Sequence, residues 1–438
     1  MKKSFIFLTA LMLMLIAGNT LIQAQSNTQS RQVIIANGGK FETTPPFSDY
    51  VTVEAYNLAT KAVTVFGTIY TQSVQDVLIS GNKAYVTAQD SVVLYNIDTF
   101  TRIAAVADSG VNQMALVNGK LIVTKQYPVG RFRVEALSAT DLSLVALIDG
   151  IPGDCEGVAV YNNRAFVACD SGYAGTQGRL CVINTANWSL DTILNFGTPA
   201  IGIYSVYAYG GYIYTVNKTP YGGGNLGSIT RLNPNNGSFV TNTLALNIGS
   251  GYGIMGNLLY LGINKSIGSY NLNTQAVVDT ALVSYFGIAN NIAINSCAVD
   301  TVENQFYTNI GNRTSLGAGI VFSLTGDSLG TYHTGLNADA CAIDFRLPTG
   351  IANNTGSVQE SLSIYPNPVS DYLGINLGSI SSPDYIKILD LTGRTLEYRT
   401  VQPGEDYIRI NVADYPAGIY LISYTSEQGT KVKKFIKR

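Results

Sequence analysis

The chain holds a single histidine, His333, and five cysteines at 155, 169, 181, 297 and 341. One imidazole excludes a multi-histidine metal centre and argues against a histidine-based triad. His333, in TYHTG, reads as a loop residue. Cys155, Cys169 and Cys181 crowd into one short span. Outside the cell, one disulfide among them is expected between adjacent strands, with buried free thiols an equal alternative. A three-thiolate metal site is the sharper third reading. The carboxylates Asp76, Asp154, Glu156, Asp170 and Asp339 are scattered. Glycoside hydrolysis needs two of them facing across roughly 5–10 Å, which spacing in sequence does not establish. YGGYIYTVNKTPYGGGNLG (209–227) is glycine-rich but lacks the Lys-Ser/Thr ending and following helix of a phosphate loop. It reads as a loop between strands. No metal or other cofactor is expected, and the reading leans away from catalysis.

Elements that position such residues follow from composition. Of 438 residues, 46% are hydrophobic and only 13% charged, with 44 Gly and 28 Tyr. That mixture favours short strands joined by tight turns over helices. The formal net charge of −2 gives no electrostatic case for nucleic acid. The N-terminus MKKSFIFLTALMLMLIAGNTLIQAQ has a basic start, an apolar stretch and a small residue at Ala24, so 1–24 reads as a secretory signal. No cysteine follows the cleavage position, which argues against a lipid anchor. Beyond it, no apolar run is long enough for a helix to span a bilayer.

From 31 to 346 one pattern recurs. KAYVTAQD, KLIVTKQY, RAFVACDS, YIYTVNKT, LLYLGINK and QFYTNIGN align without gaps, and RQVIIANG makes a seventh. Third strands align too, several ending near Asn, as in SVVLYNID and IGSYNLNT. Six of the seven second strands have an innermost strand before them. The repeat at Arg31 has none, and CAIDF (341–345), followed by a polar stretch, supplies it. The expected fold is all-β: a seven-bladed β-propeller over 31–346, sealed by a closing strand from 340–346. A β-solenoid or paired sandwiches is the alternative. YVTAQ, LIVTK and FVACD resemble the motif of the YVTN/YncE-like seven-bladed propellers, a likeness specific for fold and poor for function.

After a polar linker at 347–360, residues 361–438 alternate apolar and polar positions with frequent turns, as a small immunoglobulin-like β-sandwich would. Tyr365-Pro366-Asn367-Pro368, Asp390-Leu391-Thr392-Gly393-Arg394, Ala417-Gly418-Ile419-Tyr420 and the basic end Lys431 to Lys437 resemble the type IX secretion C-terminal sorting domain. The resemblance implies the type IX machinery as a partner, a secreted or outer-membrane surface-attached destination, and removal of the tail on attachment or release. Triplets such as Asp191-Thr192-Ile193 and Asp279-Thr280-Ala281 resemble O-glycosylation acceptors of bacteria with this system.

In such a ring, loops joining second to third strands and loops leading into innermost strands share one face. The first set is long here, and long loops gathered on one face mark a working face. Expected ligand-binding residues are Phe41, Tyr127, Arg131, Tyr173 and Tyr221 in these loops, and Gln89, Gln126, Asp170, Lys218 and Asn264 at second-strand ends. Gln75, Asn112, Glu156, Tyr252 and Asp339 precede innermost strands. Aromatics amid hydrogen-bonding groups suit a large ligand with polar edges, such as a glycan, a peptide or a corrinoid. The family resemblance adds cobalamin capture for an outer-membrane transporter. Alternatives are a lactonase-like or glycan-cleaving hydrolase, and an adhesive surface protein.

Overall fold

The structure, a computed structural model, describes residues 28–40, 42, 44, 47–169, 177–220, 224–283, 292–312, 314, 317–346, 362–377, 384–390, 395–426 and 429–438. The expected signal 1–24 and linker 347–360 lie outside them. The chain divides into two units, 1–347 and 348–438.

The described residues of the first unit form seven four-stranded antiparallel sheets. Their innermost strands are Ala340–Arg346, Asp76–Ser80, Val111–Val117, Val158–Tyr161, Ile203–Tyr209, Ile248–Met255 and Ala293–Asp300, heading sheets 1 to 7 in that order. Each innermost strand contacts the next, and Ala293–Asp300 contacts Ala340–Arg346 to complete the cycle. In sheet 1 the last strand of the unit pairs with the first, Gln29–Asn37, with Val33 opposite Ile343 and Ile34 opposite Ala342.

Seven apolar clusters lie between consecutive sheets. The cluster between sheets 7 and 1 holds Val33, Ile35 and Ile343 together with Tyr307 and Tyr332, and Tyr56 stacks on Tyr332 at 4.4 Å. Second strands are therefore covered on both faces: Lys83–Ala88 and Lys120–Lys125 are buried at every position after the first. That is why they read as continuous apolar runs. Outermost strands such as Thr101–Ala107 are mostly exposed. The aromatic early in the second strand links neighbouring sheets, since the Tyr85 hydroxyl donates to Ala139 O at 2.6 Å and that of Tyr214 to Leu272 O at 3.1 Å.

The recurring Asn has a local cause. At the end of each third strand a short polar side chain accepts backbone N–H groups two or three residues ahead and starts the turn. Asn57, Asn96, Asn184, Asn233 and Asn271 do so in five sheets, and Ser138 and Ser323 in the other two. Between Val111–Val117 and Lys120–Lys125 the two-residue turn Asn118-Gly119 has φ of 46° and 73°, the left-handed pair a tight hairpin requires.

The second unit has two antiparallel sheets around one core. A three-stranded sheet joins Ser363–Tyr365, Tyr372–Asn376 and Tyr407–Asn411, and a four-stranded sheet joins Thr395–Val401, Asp384–Asp390, Gly418–Ser426 and Gly429–Lys437. Leu373 and Ile408 from one sheet meet Ile386, Ile422 and Phe435 from the other. The Tyr365–Pro368 motif clasps the last strand: Asn367 accepts Ile436 N at 2.9 Å and donates to Lys434 O at 3.1 Å. Residues 391–394 of the second motif lie outside the described residues.

A chain ending at Arg346 should unfold in one cooperative urea transition. A chain ending at Ala338, lacking the inner partner of Gln29–Asn37, should lose that transition and bind a hydrophobic dye. Equal cooperativity in the two would contradict closure by 340–346.

Candidate ligand-binding face

Strand direction puts the starts of first and third strands and the ends of second and fourth strands on one face. At the hub of this face, groups from several sheets converge. Asn112, buried in sheet 3, donates to the Glu156 carboxylate at 2.7 Å and to Cys155 O at 2.8 Å. Thr124 donates to Glu156 O at 2.8 Å. Asp76 accepts Met114 N at 2.9 Å, tying sheet 2 to sheet 3. The Lys218 ammonium lies 4.4 Å from the Tyr204 ring centre.

Two glycines permit this approach. Gly157 donates to Tyr204 O at 2.8 Å, and a Cβ on it would meet that oxygen at 2.5 Å. Gly202, at φ 74°, accepts the Lys218 N–H at 2.8 Å and so fixes where that side chain starts.

Burial pushes the Asp76 carboxyl up to about 6, against the opposing hydrogen bonds from Met114 and Val77. Burial also raises Glu156 to about 6, opposed by Asn112 and by the charge of Lys218. The Tyr204 phenol is pushed up by burial and then by the negative charges of Glu156, Asp76 and Asp339. Three carboxylates, from the leads into sheets 2, 4 and 1, thus act on one hydroxyl. Tyr207 and Tyr252, from sheets 5 and 6, are likewise raised chiefly by burial.

Of the residues singled out in the sequence, Asn112, Glu156 and Lys218 come together here, with Asp339 acting through its charge. Tyr252 and Asn112 lie within innermost strands, Ile248–Met255 and Val111–Val117, rather than before them. Gln75 accepts Gln89 N at 2.6 Å, and Gln89 in turn accepts the Thr71 hydroxyl at 2.6 Å. These two amides brace the rim between sheets 1 and 2. Gln126 donates its N–H to Gly110 O, Asn264 accepts Asn247 N, and Tyr127 is 83% exposed. Arg131 pairs with Asp149 at 2.6 Å in the solvent. Phe41, Asp170, Tyr173 and Tyr221 lie outside the described residues. Sequence reasoning did not single out Tyr204, and it raised Asp76 only as a carboxylate for a hydrolase. The only signal for Tyr204 was an aromatic near the start of an innermost strand.

Cys169 and Cys181, on adjacent strands, form a disulfide with Cα atoms 6.2 Å apart, while Cys155 is free and buried. Cys155 is thus not a disulfide partner, and oxidation of the other two leaves no three-thiolate set. Among the described residues no group of three or more His, Cys, Asp or Glu is placed to hold a metal ion.

Residues 363–438 match the secretion system C-terminal sorting domain. The protein is therefore exported, to a secreted or cell-surface location, and the type IX secretion machinery is the partner of this tail. No curated protein matches the chain. Among solved structures, it is similar to the extracellular domain of the BT4673 hybrid two-component system from B. thetaiotaomicron, at 10% identity and TM-score 0.48 over 92% of this chain. The chain spans 57% of the length of that domain. PorZ, a surface component of the type IX secretion system of Porphyromonas gingivalis, is similar at 10% identity and TM-score 0.38, over 88% of this chain and 73% of its own. The computationally designed Ika8 protein is similar at 12% identity and TM-score 0.43, over 83% of this chain and 96% of its own.

Raised carboxyls make stability pH-dependent with a defined sign. Between their ordinary values and about 6, the folded state holds protons that the unfolded state has lost, so stability falls as pH rises through that window. Asp76→Asn should remove about 1–3 kcal/mol of that loss, raising the melting temperature at pH 7 and leaving it nearly unchanged at pH 4. A drop at pH 7 larger than at pH 4 would contradict the assigned burial.

Proposed function

We propose that the seven-sheet ring is a seven-bladed β-propeller of the YVTN/YncE-like kind, spanning 31–346, that captures a ligand without turning it over. In this reading 361–438 is an immunoglobulin-like sorting sandwich and 347–360 the linker joining it to the cargo. The ligand sits on the long-loop face, over the hub formed by Glu156, Asn112, Tyr204 and Lys218. It is large and polar-edged: a cobalamin-like corrinoid, a glycan or a peptide. An outer-membrane transporter is a candidate acceptor for what is captured.

One observation carries the reading: a cation, an amide, carboxyls and a phenol from different sheets meet at one hub, yet each is held by a structural partner. Glu156 is engaged by Asn112, Asp76 by Met114 N, and Lys218 lies against Tyr204. A positioned nucleophile–base pair is what a covalent hydrolase would require. Fixed, mixed-polarity groups on a rigid scaffold suit recognition. The raised carboxyls favour a second reading, a lactonase or glycan-cleaving hydrolase with Asp76 or Glu156 as general acid. Turnover of lactones or glycans that disappears in Glu156→Gln or Asp76→Asn would replace binding by catalysis.

Spectroscopic titration with cobalamin, and calorimetry with oligosaccharides and peptides, test the binding reading. At least one class should bind, and Lys218→Met or Glu156→Gln should weaken it by about tenfold or more, the scale of a lost charged hydrogen bond. No binding by any class, or affinities unchanged in both variants, would overturn it.

A further inference from the structure

Away from the hub, the same face carries a second surface on sheet 1. Tyr70 follows the outermost strand Val63–Ile69 and is 80% exposed. Its ring does not hang free. Tyr50 meets it edge-on at 5.2 Å and 76°, and Phe47 meets Tyr50 edge-on at 6.3 Å and 76°. These contacts leave a broad aromatic surface toward solvent with its orientation set.

The chain beneath is pinned. Gln72, almost fully buried, donates to Lys40 O at 3.2 Å and Asp49 O at 3.4 Å and accepts Glu42 N at 3.0 Å. One amide thus joins both ends of the loop carrying Phe47 and Tyr50 to the segment carrying Tyr70. The loop also contributes a charged and hydroxylated border. Glu42 is hydrogen-bonded by both the hydroxyl and the N–H of Ser48, which hold its carboxyl below the usual range and keep it ionised. Lys40 lies 3.8 Å from Glu42.

An exposed aromatic ring in a fixed orientation, on a segment that Gln72 joins to a loop bearing a carboxylate, a hydroxyl and an ammonium, selects by chemistry. A wholly apolar ligand would desolvate the border without repaying it. A protein partner would need roughly 1,000 Å² of complementary surface, far more than these rings supply. A pyranose satisfies both parts: its C–H face lies flat on the ring and its hydroxyls reach the border. We propose that Tyr70, backed by Tyr50 and Phe47, is a stacking platform for a sugar ring of a glycan. This rests on the reading of the long-loop face as the binding face but uses residues separate from the hub.

The test is calorimetric titration of the full chain with maltohexaose, cellohexaose, laminarihexaose, xylohexaose and mannohexaose. Wild type, Tyr70→Ala, Tyr70→Trp and Glu156→Gln are compared, with thermal midpoints and sedimentation for each. At least one saccharide should bind. Tyr70→Ala should weaken it by about tenfold, and Tyr70→Trp should retain it. Thermal midpoints of the Tyr70 variants should match wild type because the ring is exposed. Three results overturn the platform: no saccharide binds, Tyr70→Ala binds like wild type, or Tyr70 governs only self-association. Loss in Glu156→Gln with retention in Tyr70→Ala sinks the platform and leaves the hub reading standing. Binding of cobalamin or peptide alone does the same.

Discussion

The ladder between Gln29–Asn37 and Ala340–Arg346 joins the two ends of the first unit, and Gln32 and Asp344, hydrogen-bonded across it, lie 312 positions apart in sequence. Every other sheet of the first unit is built from consecutive strands. Sheet 1 alone takes its inner strand from the far end of the chain. Without it, Gln29–Asn37 would present an unpaired edge at the hub, and the cluster holding Ile343 between sheets 7 and 1 would be open. The closing strand is also fastened at the opposite face. Arg346 pairs with Asp344 at 2.6 Å and with Asp98 of sheet 2 at 2.7 Å, and Gln32 donates to Asp344 and to Ile97 O at 3.0 Å. Asp344 is wholly buried and contributes only because Arg346 and Gln32 satisfy it.

Closure is what gives the candidate face its geometry. Asp339 and Asn337 lie just before the closing strand, and Asn337 both accepts Gly38 N at 2.6 Å and donates to Gly39 O at 2.6 Å. The same event that seals the ring seats the first long loop, whose far end carries Tyr50. Hub and rim are therefore coupled to one long-range contact. Ser296 of sheet 7 donates to Ala338 O at 2.6 Å, holding the lead into the closing strand from the other side. The closing strand ends at Arg346, before the second unit begins.

What could be read from the sequence was whatever the fold repeats. Second strands align because both their faces are covered, and third strands end in Asn or Ser because each must start the same turn. The orphan CAIDF was identifiable by subtraction, since one sheet lacked an inner strand. The Tyr-Pro-Asn-Pro motif was legible because Asn367 performs a fixed task on the last strand. Features made by one sheet alone were not. Tyr204 gains its role from Glu156 and Lys218, which neighbour it only in space. Tyr70 follows an exposed strand, and the aromatic at the matching place in sheet 4, Phe196, is buried instead. Cys155 and Cys169 look equivalent by position, but only Cys169 faces Cys181 across adjacent strands. Arg131 resembled a ligand contact until Asp149 was found to hold it.

Hydrogen–deuterium exchange read residue by residue tests ring closure most directly. The account predicts that amides of 340–343 and 33–36 exchange together, only through global unfolding, as slowly as those of the second strand Arg164–Ala168. Fast exchange at 340–343 while Arg164–Ala168 stays protected would contradict it, showing an inner strand that detaches from a ring able to persist without it.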